Sequence, residues 1–285
     1  MNRNDQFGPI FALAARFASE IAGMNLPLEV IQGAKEASKE DPLWKKVRGA
    51  FLPEEMPMSA GLTLKNKGGE EGAQVAPTLT DGFSIPRIQI LTERPKPCAQ
   101  RSIDEQVTDL KQMYQALRWT WTEHGLVVPE RQRGFDRLLV FTDMQFTNNR
   151  LYDVCKASFP SWRYVEDLDL AVPVERDERH PSKGAYAIWV KDAVGGDHNF
   201  RNMSAKVIAQ KSLTTTTLLE RLFLELVYYR ETGEHLDTET WTLCFGSRDF
   251  GGYVPYARSR GGRFGVDSCS PDAETPRIRA RQVVT

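Results

Sequence analysis

Residues 217–233 hold the strongest helical signal in the chain, and that helix constrains everything near it. Thr217 with Glu220 three residues on is a capping-box pair, Leu218, Leu219, Leu222, Phe223, Leu226 and Tyr229 recur on one broad apolar face, and Gly233 supplies the stop. A face this wide has to be covered by a second layer. After Asp237 no helical period survives. Residues 241–245, 253–257, 263–267 and 278–284 read instead as short strands, divided by the pairs Gly251–Gly252 and Gly261–Gly262 and by Pro271. The helix and this β-rich, turn-rich module occupy residues 206–285.

Upstream, element types alternate. Ser102 and Glu105 form a second capping box ahead of a stripe of Ile103, Val107, Leu110, Tyr114, Leu117 and Trp121. Residues 137–142 (RLLVFT) are the short continuous apolar run of a strand covered on both faces, 148–159 have helical spacing with Thr147 or Asn148 as cap, 162–174 return to extended character, and 186–190 (YAIWV) are again strand-like. Residues 85–92 read as one more strand. Strand, helix, strand in that order predicts an α/β or α+β body over 83–205, which the long helix and β-rich module can join as one domain. Helical spacing near the start predicts a small helical unit over 1–52, and a stretch rich in Pro, Gly, Lys and Glu predicts a linker over 53–82.

Composition excludes several classes of function. The 285 residues carry 37 Lys and Arg against 38 Asp and Glu, without the basic excess of a general nucleic-acid binder. No run of about 18 apolar residues exists, so no membrane span is expected. Residues 7–15 lack the basic leader and small-residue cleavage site of a signal peptide, and the expected location is the cytoplasm. Cys98, Cys155, Cys244 and Cys269 stand far apart with no CxxC pair, which predicts free and mostly buried thiols. Dinucleotide, P-loop, nucleophile-elbow and HExxH patterns do not occur, and no cofactor is expected.

The neutral total hides a local imbalance. From Gly246 to the C-terminus there are seven arginines, four acids and no lysine, a net charge of +3. Tyr, Ser, Gly and Arg together make adaptable binding surfaces, because rigid aromatics supply area while small polar residues supply hydrogen bonds at low entropic cost. The candidate ligand-binding residues are Phe250, Tyr253, Tyr256, Arg258, Ser259, Arg260, Ser268, Ser270, Asp272, Glu274 and Arg277. In an extended strand Arg277, Arg279 and Arg281 would share one face, an arginine comb suited to carboxylates, phosphates or sugar-like ligands. The plainer reading is a hydrated outer sheet face.

Two alternatives compete. Asp143 stands where a parallel strand would end, and Asp167 and Asp169 alternate along an extended segment, so that the three carboxylates could serve a metal-dependent enzyme. VFTDMQF is similar to the metal-adhesion strand of von Willebrand A domains, although the partner loop Asp-x-Ser-x-Ser has no counterpart upstream. A cap or turn is the plainer role for each aspartate. The arginine tail could instead bind nucleic acid, which predicts steep salt dependence.

Longer phrases carry a resemblance. GFDRLLVFTDMQFTNNRLYDVCKASFPSWRYVEDLD, RDERHPSKGAYAIWVKD, TTLLERLFLELVYYRETGEHLD, WTLCFGSRD and RIRARQVV resemble a family of hypothetical proteins from candidate-phylum bacteria, over most of the chain from about Phe51 onward. The family brings no activity and no catalytic residues. The resemblance implies that the tail after Ser247 differs strongly between members and is framed by the better-kept phrases WTLC and RARQVV. Such a tail is similar to the variable region of the variable proteins of diversity-generating retroelements, whose ligand surface lies on a C-type-lectin-like fold. The expectation is a binding or display protein rather than an enzyme, its partner an unidentified protein or an anionic or carbohydrate ligand.

Overall fold

The structure, a computed structural model, describes residues 85–285. The helical unit expected over 1–52 and the linker expected over 53–82 lie outside the described residues.

Both capping boxes form. Helix α1 (Ile103–Ala116) opens on Ser102 with Glu105 bonded back to it. The stripe outlasts the helix: Arg118 takes a positive φ of 55°, and Trp119 and Trp121 pack edge-on against Tyr114 from beyond the helix end. Strand β1 (Arg137–Phe141) is buried along its whole length. Thr147 caps α2 (Asn148–Ser158). Next come β2 (Ser161–Arg163), the short α3 (Leu168–Ala171), β3 (Tyr186–Val190) and α4 (Ala205–Gln210). The long helix is α5 (Leu218–Thr232), started by Thr217 and Glu220 and ended by Gly233 at φ +70°. Strands β4 (Trp241–Leu243), β5 (Val254–Arg260), β6 (Arg263–Cys269), β7 (Ile278–Ala280) and β8 (Val283–Val284) complete the chain.

The strands form two sheets, β1-β3-β8 and β2-β6-β5-β4-β7, and the fold is α+β. β1 and β3 run antiparallel, with Arg137 opposite Val190, so no parallel crossover joins them. The chain between them sends β2 to the other sheet, where β2–β6 and β4–β7 are the parallel pairs. Residues 85–92 form no strand. Leu91 N–H donates to the carbonyl of Arg230 near the end of α5, and Ile88 N–H to the Ser158 hydroxyl, so this segment satisfies its backbone against helices. All four cysteines are free; Cys98, Cys155 and Cys244 are buried.

α5 packs on α2, β1 and β5. Every residue from Leu218 to Tyr228 is buried, including Glu220, Arg221 and Glu225 on the side that spacing leaves polar. Each charge has a partner: Arg179 meets Glu220 at 2.9 Å, Arg221 meets Glu225 at 2.8 Å and Asp237 at 2.9 Å, and His235 Nδ1 lies 2.8 Å from Glu225. A buried charge persists only when paired in this way. The N-terminus of α5 is further held by Ser247, whose Oγ accepts from Leu218 N–H and donates to Asp177 at 2.5 Å. Burial raises the Asp177 carboxyl to about 7 against the opposing Ser247 hydrogen bond, and Glu220 adds to the rise.

Candidate functional site

β5 and β6 form a hairpin of seven facing pairs, from Val254 opposite Cys269 to Arg260 opposite Arg263. Gly261 and Gly262 turn it with φ of +59° and +72°, the two positive values that a tight hairpin turn compatible with strand twist demands. Side chains alternate across the sheet. Ala257, Phe264 and Val266 join the core built around α5. On the opposite side Leu243, Val254, Tyr256, Ile278 and Ala280 form a smaller core with Phe200, Ala205 and Ile208. That cover is partial.

Beyond it lies a row set by strand register. Trp162 of β2 faces Gly265 of β6, Gly265 faces Arg258 of β5, and Trp241 of β4 follows in line. Gly265 is required, since a Cβ there would sit 2.3 Å from Trp162 Nε1. The Arg258 guanidinium lies 5.8 Å from the Trp162 ring centre and 4.9 Å from that of Trp241. Trp241 in turn stacks on Tyr256 at 5.2 Å and 10°. Tyr256 is 6% exposed, and its hydroxyl donates to Asp267 at 2.9 Å. Burial, and then the Asp267 carboxylate, hold the Tyr256 phenol well above its ordinary range.

Beside this row opens a cavity of about 590 Å³, lined by Arg258, Arg260 and Arg277 among others, with Glu234, Thr238 and Glu239 also on its wall. Among the described residues, the guanidiniums of Arg258, Arg260 and Arg277 have no hydrogen bond or ion pair. Arg260 stands directly opposite Arg263 in the hairpin, so two like charges meet at its tip.

The expected residues divide. Tyr253 and Arg258 are half-exposed, Arg260 and Arg277 are exposed, and the last three line the cavity. Tyr256 and Ser259 are corrections: both are buried, Tyr256 beneath Trp241 and Ser259 on the inner side of the hairpin. Phe250, Ser268, Ser270, Asp272 and Glu274 do not line the cavity. Phe250 lies under the Arg176 guanidinium at 5.1 Å, and Asp272 pairs with Lys206 at 2.7 Å. Spacing missed Trp162 and the acids Glu234 and Glu239. Trp162 becomes visible only when β2 is known to pair with β6, which no local pattern announces.

The arginine comb is the largest correction. Arg277 is exposed, Arg279 is half-buried, and Arg281 is a core residue. Arg281 donates to Asp237 at 3.1 Å, to Thr242 Oγ1 at 3.0 Å and to the carbonyls of Ala193 and Val194 at 2.8 and 2.7 Å. Asp237 also accepts from Arg221, Thr240, Thr242 and Gly196 N–H. Burial alone would raise its carboxyl, but Arg281 and Arg221 outweigh that and hold it below the usual range. A single extended strand over 278–284 would have kept the comb together. The chain instead leaves the five-stranded sheet after Ala280 and enters the other at Val283, turning Arg281 inward.

The three aspartates of the metal alternative have other work. Asp143 is buried, accepts from Thr120 N–H and Gln145 N–H, and pairs with Arg150 at 3.1 Å. Its strand is antiparallel, so it does not mark the end of a parallel strand. Asp167 caps α3 and Asp169 lies in its first turn, where the sequence suggested extended chain; both bond to Asn149. Among the described residues no group of three His, Cys, Asp or Glu is placed to hold a metal ion, and no helix is long and apolar enough to cross a membrane. Compared with protein-family models, with curated proteins and with solved structures, the chain finds no match.

Proposed function

We propose that the chain is a ligand-binding and display protein whose recognition surface is the open face of the five-stranded sheet. The observation that carries this reading is the split within the tail. The framing phrases are scaffold: Thr242, Leu243 and Cys244 at one end and Ala280, Arg281 and Val283 at the other are buried. The chain between them presents Tyr253, Arg258, Arg260 and Arg277 at the surface, the three arginines around one cavity and, among the described residues, with no hydrogen bond or ion pair to their guanidiniums. A fixed frame around unengaged aromatic and cationic groups is the economy of a paratope. In this reading the sheet face plays the part of the ligand surface in the variable proteins of diversity-generating retroelements, and its partner is a protein or an anionic or carbohydrate ligand.

Nucleic-acid binding has less support, because Arg281 is bound internally and Glu234 and Glu239 stand among the remaining arginines. Metal-dependent catalysis has less still, given the capping and pairing roles of Asp143, Asp167 and Asp169.

The test is a combined glycan and peptide array probed with wild type and with the variant Tyr253→Ala, Arg258→Ala, Arg260→Ala, Arg277→Ala. All four side chains lie outside the buried core, so the fold should survive. Every specific signal should vanish in the variant. Signals that persist at full strength sink the proposal. A reverse-transcriptase gene next to a near-copy of the tail's coding sequence would add independent support.

A further inference from the structure

The guanidinium of Arg258 is flanked by two indoles and, among the described residues, meets no hydrogen-bond acceptor. The ring centres of Trp241 and Trp162 lie 4.9 and 5.8 Å from it, and Gly265 leaves the room that Trp162 needs. Stacking engages the π-surface of a guanidinium and leaves its N–H groups, which lie in the plane, free to donate. Among the described residues none of them meets an acceptor, and the residue lines the 590 Å³ cavity. An unpaired guanidinium, planar by its bonding, is complementary to a carboxylate, which accepts two parallel hydrogen bonds in one plane.

The rest of the wall narrows the choice. Arg260 and Arg277 add positive charge, while Glu234 and Glu239 are exposed acceptors on the same wall. A polyanion such as a phosphate backbone or an acidic peptide would meet repulsion from those glutamates. A body with one carboxylate and several hydroxyl donors meets complementary groups throughout.

We infer that the cavity receives a carboxylate-bearing sugar, with Arg258 as the carboxylate's bidentate partner and Glu234 and Glu239 as acceptors for its hydroxyls. This inference rests on the display reading above and names the ligand class of that same face.

The experiment titrates the full chain with glucuronic acid and N-acetylneuraminic acid by ligand-observed NMR. Glucose and the methyl ester of glucuronic acid serve as uncharged counterparts, and tetraglutamate as the acidic peptide. The expected result is binding of at least one sugar acid, with roughly tenfold or greater weakening for the uncharged counterparts and for Arg258→Gln, as the loss of a charge-assisted bidentate contact implies. Near-UV circular dichroism checks that Arg258→Gln keeps the tryptophan row. If it does not, Glu239→Gln supplies the second arm: it should weaken the sugar acid while strengthening any residual affinity for tetraglutamate.

Equal binding of ester and acid overturns the inference, as does preference for tetraglutamate, or no binding of either sugar acid at millimolar concentration. The two levels stay separable. If sugar acids fail but an array ligand binds and is lost in the four-residue variant, the display reading stands and the ligand class falls. If an array ligand is indifferent to that variant, the display reading itself falls.

Discussion

Arg281 and Arg258 lie in the same tail and have opposite fates. Arg281, just past β7, is 1% exposed and engages one carboxylate, one hydroxyl and two carbonyls. Arg258, in the middle of β5, lies between two indoles and no protein acceptor meets its N–H groups among the described residues. One guanidinium is an internal tie between sheet and helix. The other is half-exposed at the cavity wall. Residue type therefore says little about role in this module; the difference comes from which strand pairs with which, and from where the chain changes sheets.

That contrast can be broken most forcefully at its buried end. Asp237→Asn should destabilise the protein by about 3–5 kcal/mol in urea unfolding, because it leaves Arg281 without a carboxylate in the core, and Arg281→Met by a comparable amount, because it leaves the buried network of Asp237, Arg221 and Glu225 one positive charge short. Arg258→Met should cost no more than about 1 kcal/mol, the scale of its cation–π contacts. Equal losses at the two arginines would erase the distinction.

Next in size is a pH effect on the scaffold side. Asp177, buried beside Ser247, titrates at about 7, well above its unfolded value. The folded state then binds the extra proton between about pH 4 and 7, so this group's contribution is fully present at low pH and is lost as pH rises through 7. Asp177→Asn should gain stability relative to wild type as pH is raised from 4.5 to 7.5, read from urea midpoints. A pH-independent difference would contradict the assignment.

Smaller again is Gly265→Ala, which drives a methyl into Trp162 and should cost about 1–3 kcal/mol as overpacking. Near-UV circular dichroism should change with it, and an unchanged spectrum would mean that Trp162 does not lie over Gly265. The smallest effect is expected at Asp167→Ala, where an exposed α3 cap is lost at about 1 kcal/mol. Retained ligand binding in that variant is part of the expectation, since Asp167 does not line the cavity.

Local chemistry was legible where it acts over four residues or fewer. Ser102 with Glu105, Thr147, Thr217 with Glu220, and Gly233 each occupy the cap positions that their spacing predicts, and Gly261–Gly262 turns a hairpin. Residues 137–142 and 186–190 carried strand patterns, and β1 and β3 lie there. What local spacing could not carry was pairing. Nothing in residues 137–190 says that β2 will leave for another sheet, nor that β1 and β3 will pair antiparallel. Glu225 and Arg221 look like a solvated helix face until Asp237 and His235 arrive from beyond the helix end. The candidate site follows the same rule: Tyr253, Arg258 and Arg260 were visible from composition, whereas Trp162 depends on register with Gly265.

The parallel pairing of β4 with β7 has a topological consequence. Trp241 lies beside Ile278 and Leu243 beside Ala280, so the excursion over residues 244–277 departs from and returns to neighbouring points of the sheet. Its end-to-end distance is therefore set by the frame and not by its own length. Lengthening the turn at Gly261–Gly262 with flexible residues adds a closure entropy of about 0.6 kcal/mol for each doubling of the loop. The excursion is anchored at both ends by one clasp and along its length by Ser247, Ala257, Phe264 and Val266, so only its turn and its outward-facing side chains can be exchanged without disturbing the body of the protein.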